Sequence, residues 1–304
     1  MSTHDGSAQL IRAGVIGLGI MGGAFARHLA EAGVHTSGYD LLSANVDALG
    51  ATGGHACSSA RAVAAQSEIV ITSLPNSAAL DSALFGEDGI VAAGRTGLLV
   101  VETSTLSLED KERVRGRLAS SGIAMLDAPI SGTGPQAKAK DISIFASGDR
   151  ADFERARGAL SYFARTVRYV GPFGAGSKMK YIANLLVAIH IVGAAEAIVL
   201  GEKAGLDPST LVEVLADSAA TSRMLEVRGP SMATGAYATP MMKVDVFQKD
   251  LDIIANFAKQ SRCPVPLFSS AVPFFTAITA QGMGLQDTAA VVSVLRLLAG
   301  IEPK

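Results

Sequence analysis

Read as a pattern of apolar and polar positions, the chain changes character just past its middle. Up to about residue 172, short apolar runs alternate with stretches of helical period. Residues 11–16, 34–39, 68–74, 98–102, 124–126, 142–147 and 168–170 read as strands. Between the first two lies a helix with Phe25, Leu29 and Ala32 on one side and Gly33 as its C-cap. A charged stretch from Leu108 to Leu118 reads as another helix, its lysine and arginines interleaved with acids on a solvated face. Such alternation predicts a doubly wound parallel sheet covered on both faces. From Gly174 onward the strand signals stop, and helices are expected over 177–204, 208–219, 244–261, 267–281 and 287–299. The fold class is therefore α/β followed by an all-α domain. A flexible N-terminus occupies residues 1–10, the sheet domain 11–172 and the helical domain 173–304.

The first strand runs into Gly17-Leu-Gly-Ile-Met-Gly22 and the second ends at Asp40. Strand, glycine turn, helix, strand and acid stand in the order a Rossmann dinucleotide site requires. The first glycine makes the tight turn, the second admits a pyrophosphate to the backbone, and the third lets helix and strand pack closely. Free N–H groups at the helix start complete the anion site. Gly17, Leu18, Gly19, Ile20, Met21 and Gly22 are thus cofactor-binding candidates. Asp40 is placed to accept both ribose hydroxyls and to repel a 2′-phosphate. Leu41 and Leu42 supply no cation to reverse that preference, so NAD is favoured over NADP.

Composition narrows the partners. Of 304 residues, 49% are hydrophobic and 18% charged, enough for two ordinary cores. Formal net charge is −2, and the two halves are balanced, with 15 basic against 17 acidic residues before position 173 and 11 against 11 after it. Neither nucleic acid nor an anionic membrane is expected as partner. Cys57 and Cys263 have no metal-ligand spacing, and no metal site is expected; they fit a reducing, cytoplasmic setting. The uncharged run Tyr181–Ala195 reads as too short and too polar for a membrane span. Its helix is apolar nearly all round from Ile182 to Ala194, which asks for cover from a second copy, in a homodimer or homotetramer built on the C-terminal helices.

Ligands of open α/β sheets bind beyond the C-terminal strand ends. That rule selects Leu74-Pro75-Asn76, Thr103-Ser104-Thr105 and Ser131-Gly132-Thr133. The Ser131 and Thr133 hydroxyls and the Gly132 amide suit a substrate carboxylate, although Ser131 also fits ordinary turn chemistry. Two glycines at 174 and 176 open the helix that carries Lys180, with Asn184 four residues on along the same face. A lysine titrates near about 10.4 in water, and partial desolvation lowers that toward the range useful for proton transfer. Asn184 would fix a substrate hydroxyl or orient the lysine. Each lysine also has a plainer reading: Lys180 as a solvated residue, and Lys249 as a surface residue paired with Asp245 or Asp252. His190, inside the apolar helix, reads as a packed core residue.

Four blocks in order, Gly14–Gly22, Asp127-Ala-Pro-Ile-Ser-Gly132, Gly174–Asn184 and Lys249-Asp250-Leu251, resemble the β-hydroxyacid dehydrogenase family of 3-hydroxyisobutyrate dehydrogenase-like proteins. The resemblance covers about residues 13–299, and the segment around Lys180 looks closest to the L-threonate dehydrogenase branch. It implies hydride transfer between NAD and a small hydroxy acid, with Lys180 as general acid and base. It also implies cofactor contacts from Thr105 and Lys249, the last closing over from the helical domain, beside the strand-end candidates Leu74 and Pro75. Thr133 stands where a second glycine is usual, Lys140-Asp141 replaces Gly-Thr, and Ala183 replaces an asparagine. These departures surround the substrate, leaving its identity open. Extra donors at Thr133, Lys138 and Lys140 suit a four-carbon sugar acid. A semialdehyde reductase running the same chemistry backwards, and a non-catalytic binding module, are the competing expectations.

Overall fold

The computed structural model describes residues 11–301; the N-terminal segment 1–10 expected to be flexible, and the last three residues of the helical domain, lie outside the described residues. The chain falls into two compact units, one ending at Lys180 and the other beginning at Tyr181.

In the first unit β1 (Arg12–Ile16), α1 (Ile20–Glu31), β2 (His35–Tyr39), α2 (Ser43–Gly50), β3 (His55–Ala56), α3 (Ala60–Gln66), β4 (Ile69–Thr72), α4 (Ser77–Phe85), β5 (Leu99–Glu102), α5 (Leu108–Ala119) and β6 (Ala124–Asp127) wind a six-stranded sheet. Its order is β3-β2-β1-β4-β5-β6, and every pairing is parallel. Both faces carry helices, so β4 and β5 are buried along their whole length, each an apolar triplet closed by a buried polar residue, Thr72 and Glu102. Helix α1 presses Phe25 and Leu29 into this core, and Phe25 stacks on Phe163 with ring centroids 4.5 Å apart. Ala32, expected on that face, is exposed beyond the helix end, where Gly33 at φ +77° turns the chain.

The remaining strands do not extend the sheet. Strands β7 (Ile130–Ser131), β8 (Ser143–Ala146) and β9 (Thr166–Tyr169) form a separate sheet ordered β7-β8-β9, with α6 (Gly134–Lys138) and α7 (Arg150–Ser161) between them. The β7–β8 pair is antiparallel. Ser131 therefore lies within a two-residue strand instead of just past one. Past β6 the chain runs on into β7 in the same sense, with Asp127 opposite Ser147 and Ile130 opposite Ile144 in one antiparallel register, so the bridge between Asp127 and Ser147 links the two sheets. Two-residue strands such as β3 and β7 are too brief to show a period of two, which is why the pattern passes over them.

Helix α8 (Ala175–Lys203) leads into the second unit, followed by α9 (Pro208–Ala216), α10 (Arg223–Thr234), α11 (Val244–Gln260), α12 (Pro266–Ala280) and α13 (Val291–Leu298). Helix α10 is not visible in the sequence pattern, because Gly229-Pro230 reads as a breaker. The helix nonetheless continues through Pro230, and a Cβ at Gly229 would come within 2.8 Å of Val212 on α9. The glycine is a packing contact between two helices. Helix α11 buries Val244, Phe247, Leu251, Ile254 and Ala258, a stripe of helical spacing.

Helix α8 buries Ala188, Ile191, Ala195 and Ile198 completely, but leaves Ile182, Leu186 and Leu200 exposed. His190 follows Ile182 and Leu186 at intervals of four and is exposed with them, so it is not a packed core residue. At 29 residues the helix is longer than its uncharged run and long and apolar enough to cross a bilayer. A core helix of a water-soluble protein passes the same test, and 44% of its most apolar window is buried within the fold.

Candidate active site

The sheet order reverses between β1 and β4, the place where such sheets bind ligands. Gly17 follows β1 at φ +86°, and a Cβ there would lie 2.2 Å from the Ser73 carbonyl oxygen beyond β4. A Cβ at Gly22 would lie 1.8 Å from the Gly17 carbonyl, so the third glycine closes helix on turn. Gly19 differs from both. It caps α1, no side chain caps the helix, no acid stands in its first turn, and a Cβ at Gly19 would meet nothing within 4 Å. Uncapped N–H groups facing open space fit a pyrophosphate. Leu18 is buried, Met21 half-buried and Ile20 largely exposed.

Asp40 closes β2, and its two carboxylate oxygens accept the Leu18 N–H at 2.7 Å and the Leu42 N–H at 2.8 Å. One oxygen thus braces the glycine turn itself. Leu41 and Leu42 project outward with no cation beside them in sequence. Past β4, the Leu74 N–H donates to Ser104 Oγ at 2.8 Å, tying that turn to the one after β5. Pro75 is exposed, Asn76 caps α4 by accepting the Ala79 N–H, and Thr105 is half-buried. Beneath them lies Glu102, wholly buried, which accepts the Ser104 N–H at 2.6 Å and the Thr72 hydroxyl.

The second and third sequence blocks meet. Gly174, at φ +89°, turns the chain into α8, and a Cβ on Gly176 would strike the Phe145 carbonyl at 2.2 Å and the Asp127 carbonyl at 2.9 Å. The first turn of α8 lies directly on the backbone beside β6. There the Ser177 N–H and hydroxyl each donate to the Asp127 carboxylate at 2.8 Å, and the Gly176 N–H donates to Ser147 Oγ at 2.9 Å. Lys180 is half-buried one turn further on.

Gly132 has φ +145°, a conformation other residues rarely take, and is exposed; Ser131 is half-buried. Thr133 begins α6, where its backbone N–H and its hydroxyl both donate to Gln136 Oε1, at 3.0 and 3.1 Å. That hydroxyl proton is therefore engaged in capping. Lys138 and Lys140 are exposed.

Within the second unit, the third and fourth blocks join. Asn184 is buried and donates its amide to Asp250 Oδ2 at 2.9 Å, while Lys249 Nζ lies 3.5 Å from Asp250 Oδ1. The lysine's nearest acid is thus its neighbour, not Asp245 or Asp252. Among the described residues, no group of three or more His, Cys, Asp or Glu side chains is gathered for a metal ion.

Sequence reasoning missed a wholly buried charge of the first unit. Lys111, expected on the solvated face of α5, is wholly buried, with Nζ 2.9 Å from Asp127 Oδ1 and 2.7 Å from the Ser104 carbonyl oxygen. A signal was present: Lys111, Val114 and Leu118 share one buried helix face. A lysine in phase with an apolar stripe calls for a buried acid, and Asp127 ends the apolar strand β6.

The chain matches known proteins over nearly all of its length. Residues 12–171 match the NAD-binding domain of 6-phosphogluconate dehydrogenase, and residues 174–295 the NAD-binding domain of NADP-dependent 3-hydroxyisobutyrate dehydrogenase. The chain is 36% identical to an L-threonate dehydrogenase of Cupriavidus necator over 95% of its length and 96% of the relative's. It is 32% identical to a 2-hydroxy-3-oxopropionate reductase of Escherichia coli, over 95% of this chain and 98% of the other. A crystal structure of 3-hydroxyisobutyrate dehydrogenase from Salmonella typhimurium superimposes with a TM-score of 0.85 at 35% identity, covering 93% of this chain and 99% of that one. These matches run over nearly the full length of the chain and of its relatives, and the chain belongs to the NAD(P)-dependent β-hydroxyacid dehydrogenase family of oxidoreductases acting on CH–OH groups.

Proposed function

We propose that this chain is an NAD-dependent dehydrogenase of a small hydroxy acid of the L-threonate type, with Lys180 exchanging the hydroxyl proton. The observation that carries the reading is the seating of Lys180. It is half-buried on a helix whose first turn is fixed by Asp127 and Ser147. A base must be held still to act, and proton transfer by a positioned side chain contributes about 10²–10⁴-fold to rate. Bound NAD would supply the hydride acceptor. The protein's own tasks are to cradle the pyrophosphate at Gly17–Gly22, hold the ribose at Asp40, and seat the substrate carboxylate on Ser131 and Gly132. In this role Leu74, Pro75 and Thr105 line the cofactor. Lys180→Ala should lower kcat by about 10³-fold while NADH affinity holds within about threefold. Activity retained at the wild-type level would remove Lys180 from the chemistry.

For the cofactor, a carboxylate at Asp40 attracts ribose hydroxyls and repels a 2′-phosphate. Replacing Asp40 by Ser together with Leu41 by Arg should raise the NADP-to-NAD ratio of kcat/KM by about tenfold or more. No change in that ratio would place the discrimination elsewhere. The substrate reading rests on the likeness to L-threonate dehydrogenase, and the likeness to the oxopropionate reductase favours a second one. In that direction the Lys180 ammonium donates a proton to the nascent alkoxide. Initial rates with L-threonate, 3-hydroxyisobutyrate and 2-hydroxy-3-oxopropionate, each with both cofactors, separate the two; a clear preference for 3-hydroxyisobutyrate defeats both. We also propose a cytoplasmic homodimer or homotetramer joined through the C-terminal helices, supported by the exposed Ile182, Leu186 and Leu200 on α8. A monomer in sedimentation at micromolar concentration would reject it.

A further inference from the structure

The seating of α8 raises a question of its own, because it depends on a charge buried within the first unit. Asp127 is wholly buried, and its carboxylate serves Ser177 twice and Ser147 once. An unpaired carboxylate there would be costly, and the compensating charge is Lys111, itself wholly buried. The ammonium has a second grip, on the carbonyl of Ser104. Ser104 accepts from Leu74 and precedes Thr105. One buried nitrogen therefore touches both the turn after β5 and the acid that holds the start of the lysine helix.

We propose that Lys111 is a positioning residue for the reaction. Its ammonium clamps the Ser104 turn to Asp127, and Asp127 in turn fixes the first turn of α8, so that Lys180 is presented in one orientation relative to that turn. The inference rests on the reading of Lys180 as the proton-transfer group. The chemistry requires this type of residue: a hydroxyl or an alkyl chain at position 111 could neither neutralise the carboxylate nor reach the carbonyl with a second donor. The carboxylate also lies against the first N–H groups of a 29-residue helix, where negative charge is favoured and holds the element in place.

Replacing Lys111 alone would strand the Asp127 charge, so the informative variant is the neutral pair Lys111→Met with Asp127→Asn. It keeps volume close to native and leaves no unpaired charge. We expect its melting temperature to stay near that of the wild type. Its kcat per NADH-binding site should fall about 10- to 100-fold, the scale of a small misplacement of a catalytic group, with substrate KM and NADH affinity within about threefold. A purely structural role predicts the opposite, a kcat per site that follows the recovered stability; wild-type kcat in the double variant overturns the proposal. Should that variant fail to fold, Ser177→Ala decides. It loses one hydroxyl bond to Asp127, keeps the N–H bond, and should lower kcat about three- to tenfold; an unchanged kcat overturns the proposal as well. Lys180→Ala is assayed alongside. Full activity in Lys180→Ala would defeat the reading beneath, whereas an inactive Lys180→Ala beside a fully active double variant defeats only the role of Lys111.

Discussion

Helices α1 and α8 begin alike and end up in opposite circumstances. Each follows a glycine turn with positive φ, at Gly17 and Gly174, and each has a further glycine two residues on. At α1 the first turn is left uncapped, and Gly19 faces open space. At α8 the first turn is filled: Asp127 and Ser147 accept its N–H groups, and Gly176 is pressed against two carbonyls. The same physics operates at both, since the leading N–H groups of a helix seek a negative partner. At α1 that partner would be the pyrophosphate of a cofactor; at α8 it is a carboxylate of the protein itself. A glycine turn before an apolar helix thus announces an anion site, and the surrounding fold decides whether the anion is built in.

This contrast can be broken from either side. The largest effect is expected at α8. Asp127→Ala strands the Lys111 ammonium and should cost about 3–5 kcal/mol in urea unfolding. A loss below about 1 kcal/mol would mean that the start of α8 is held by other contacts.

At α1 the expected damage is to binding instead. Gly19→Asp places a carboxylate where the N–H groups point, with room for it. NADH affinity should fall by about a hundredfold or more through like-charge repulsion, with melting shifted by only a few degrees. Unchanged affinity in fluorescence titration would place the pyrophosphate away from this turn.

The smallest effect lies on the surface. Asp81 takes two guanidinium hydrogen bonds from Arg113, which hold its carboxyl below the usual range. A carboxyl depressed in the folded state adds stability above its unfolded pKa, and the gain is lost as pH falls. Asp81→Asn should therefore cost at most about 1 kcal/mol at pH 7, because the pair is partly exposed, and the gap should narrow as pH falls below the ordinary carboxylate pKa of about 3.9. A gap that persists in acid would assign the effect to packing.

The alternation of apolar runs and helical stretches determined the sheet, its parallel sense and the change to helices, because period and turn chemistry are local properties. The spacing Gly17–Gly22 with Asp40 determined the dinucleotide site for the same reason, since its parts lie within one strand–helix–strand unit. The sequence blocks around Asp127, Lys180 and Lys249 marked candidate residues without saying what each side chain touches. Tertiary structure alone decided that Lys111 is buried and that Asn184 holds Asp250. It also separated β7, β8 and β9 into a sheet of their own and carried α10 through Pro230. Each of these depends on a partner distant in sequence or on packing against another element. A charge such as that of Lys111 looks solvated until the fold brings its counter-charge from 16 residues away into the same dry space.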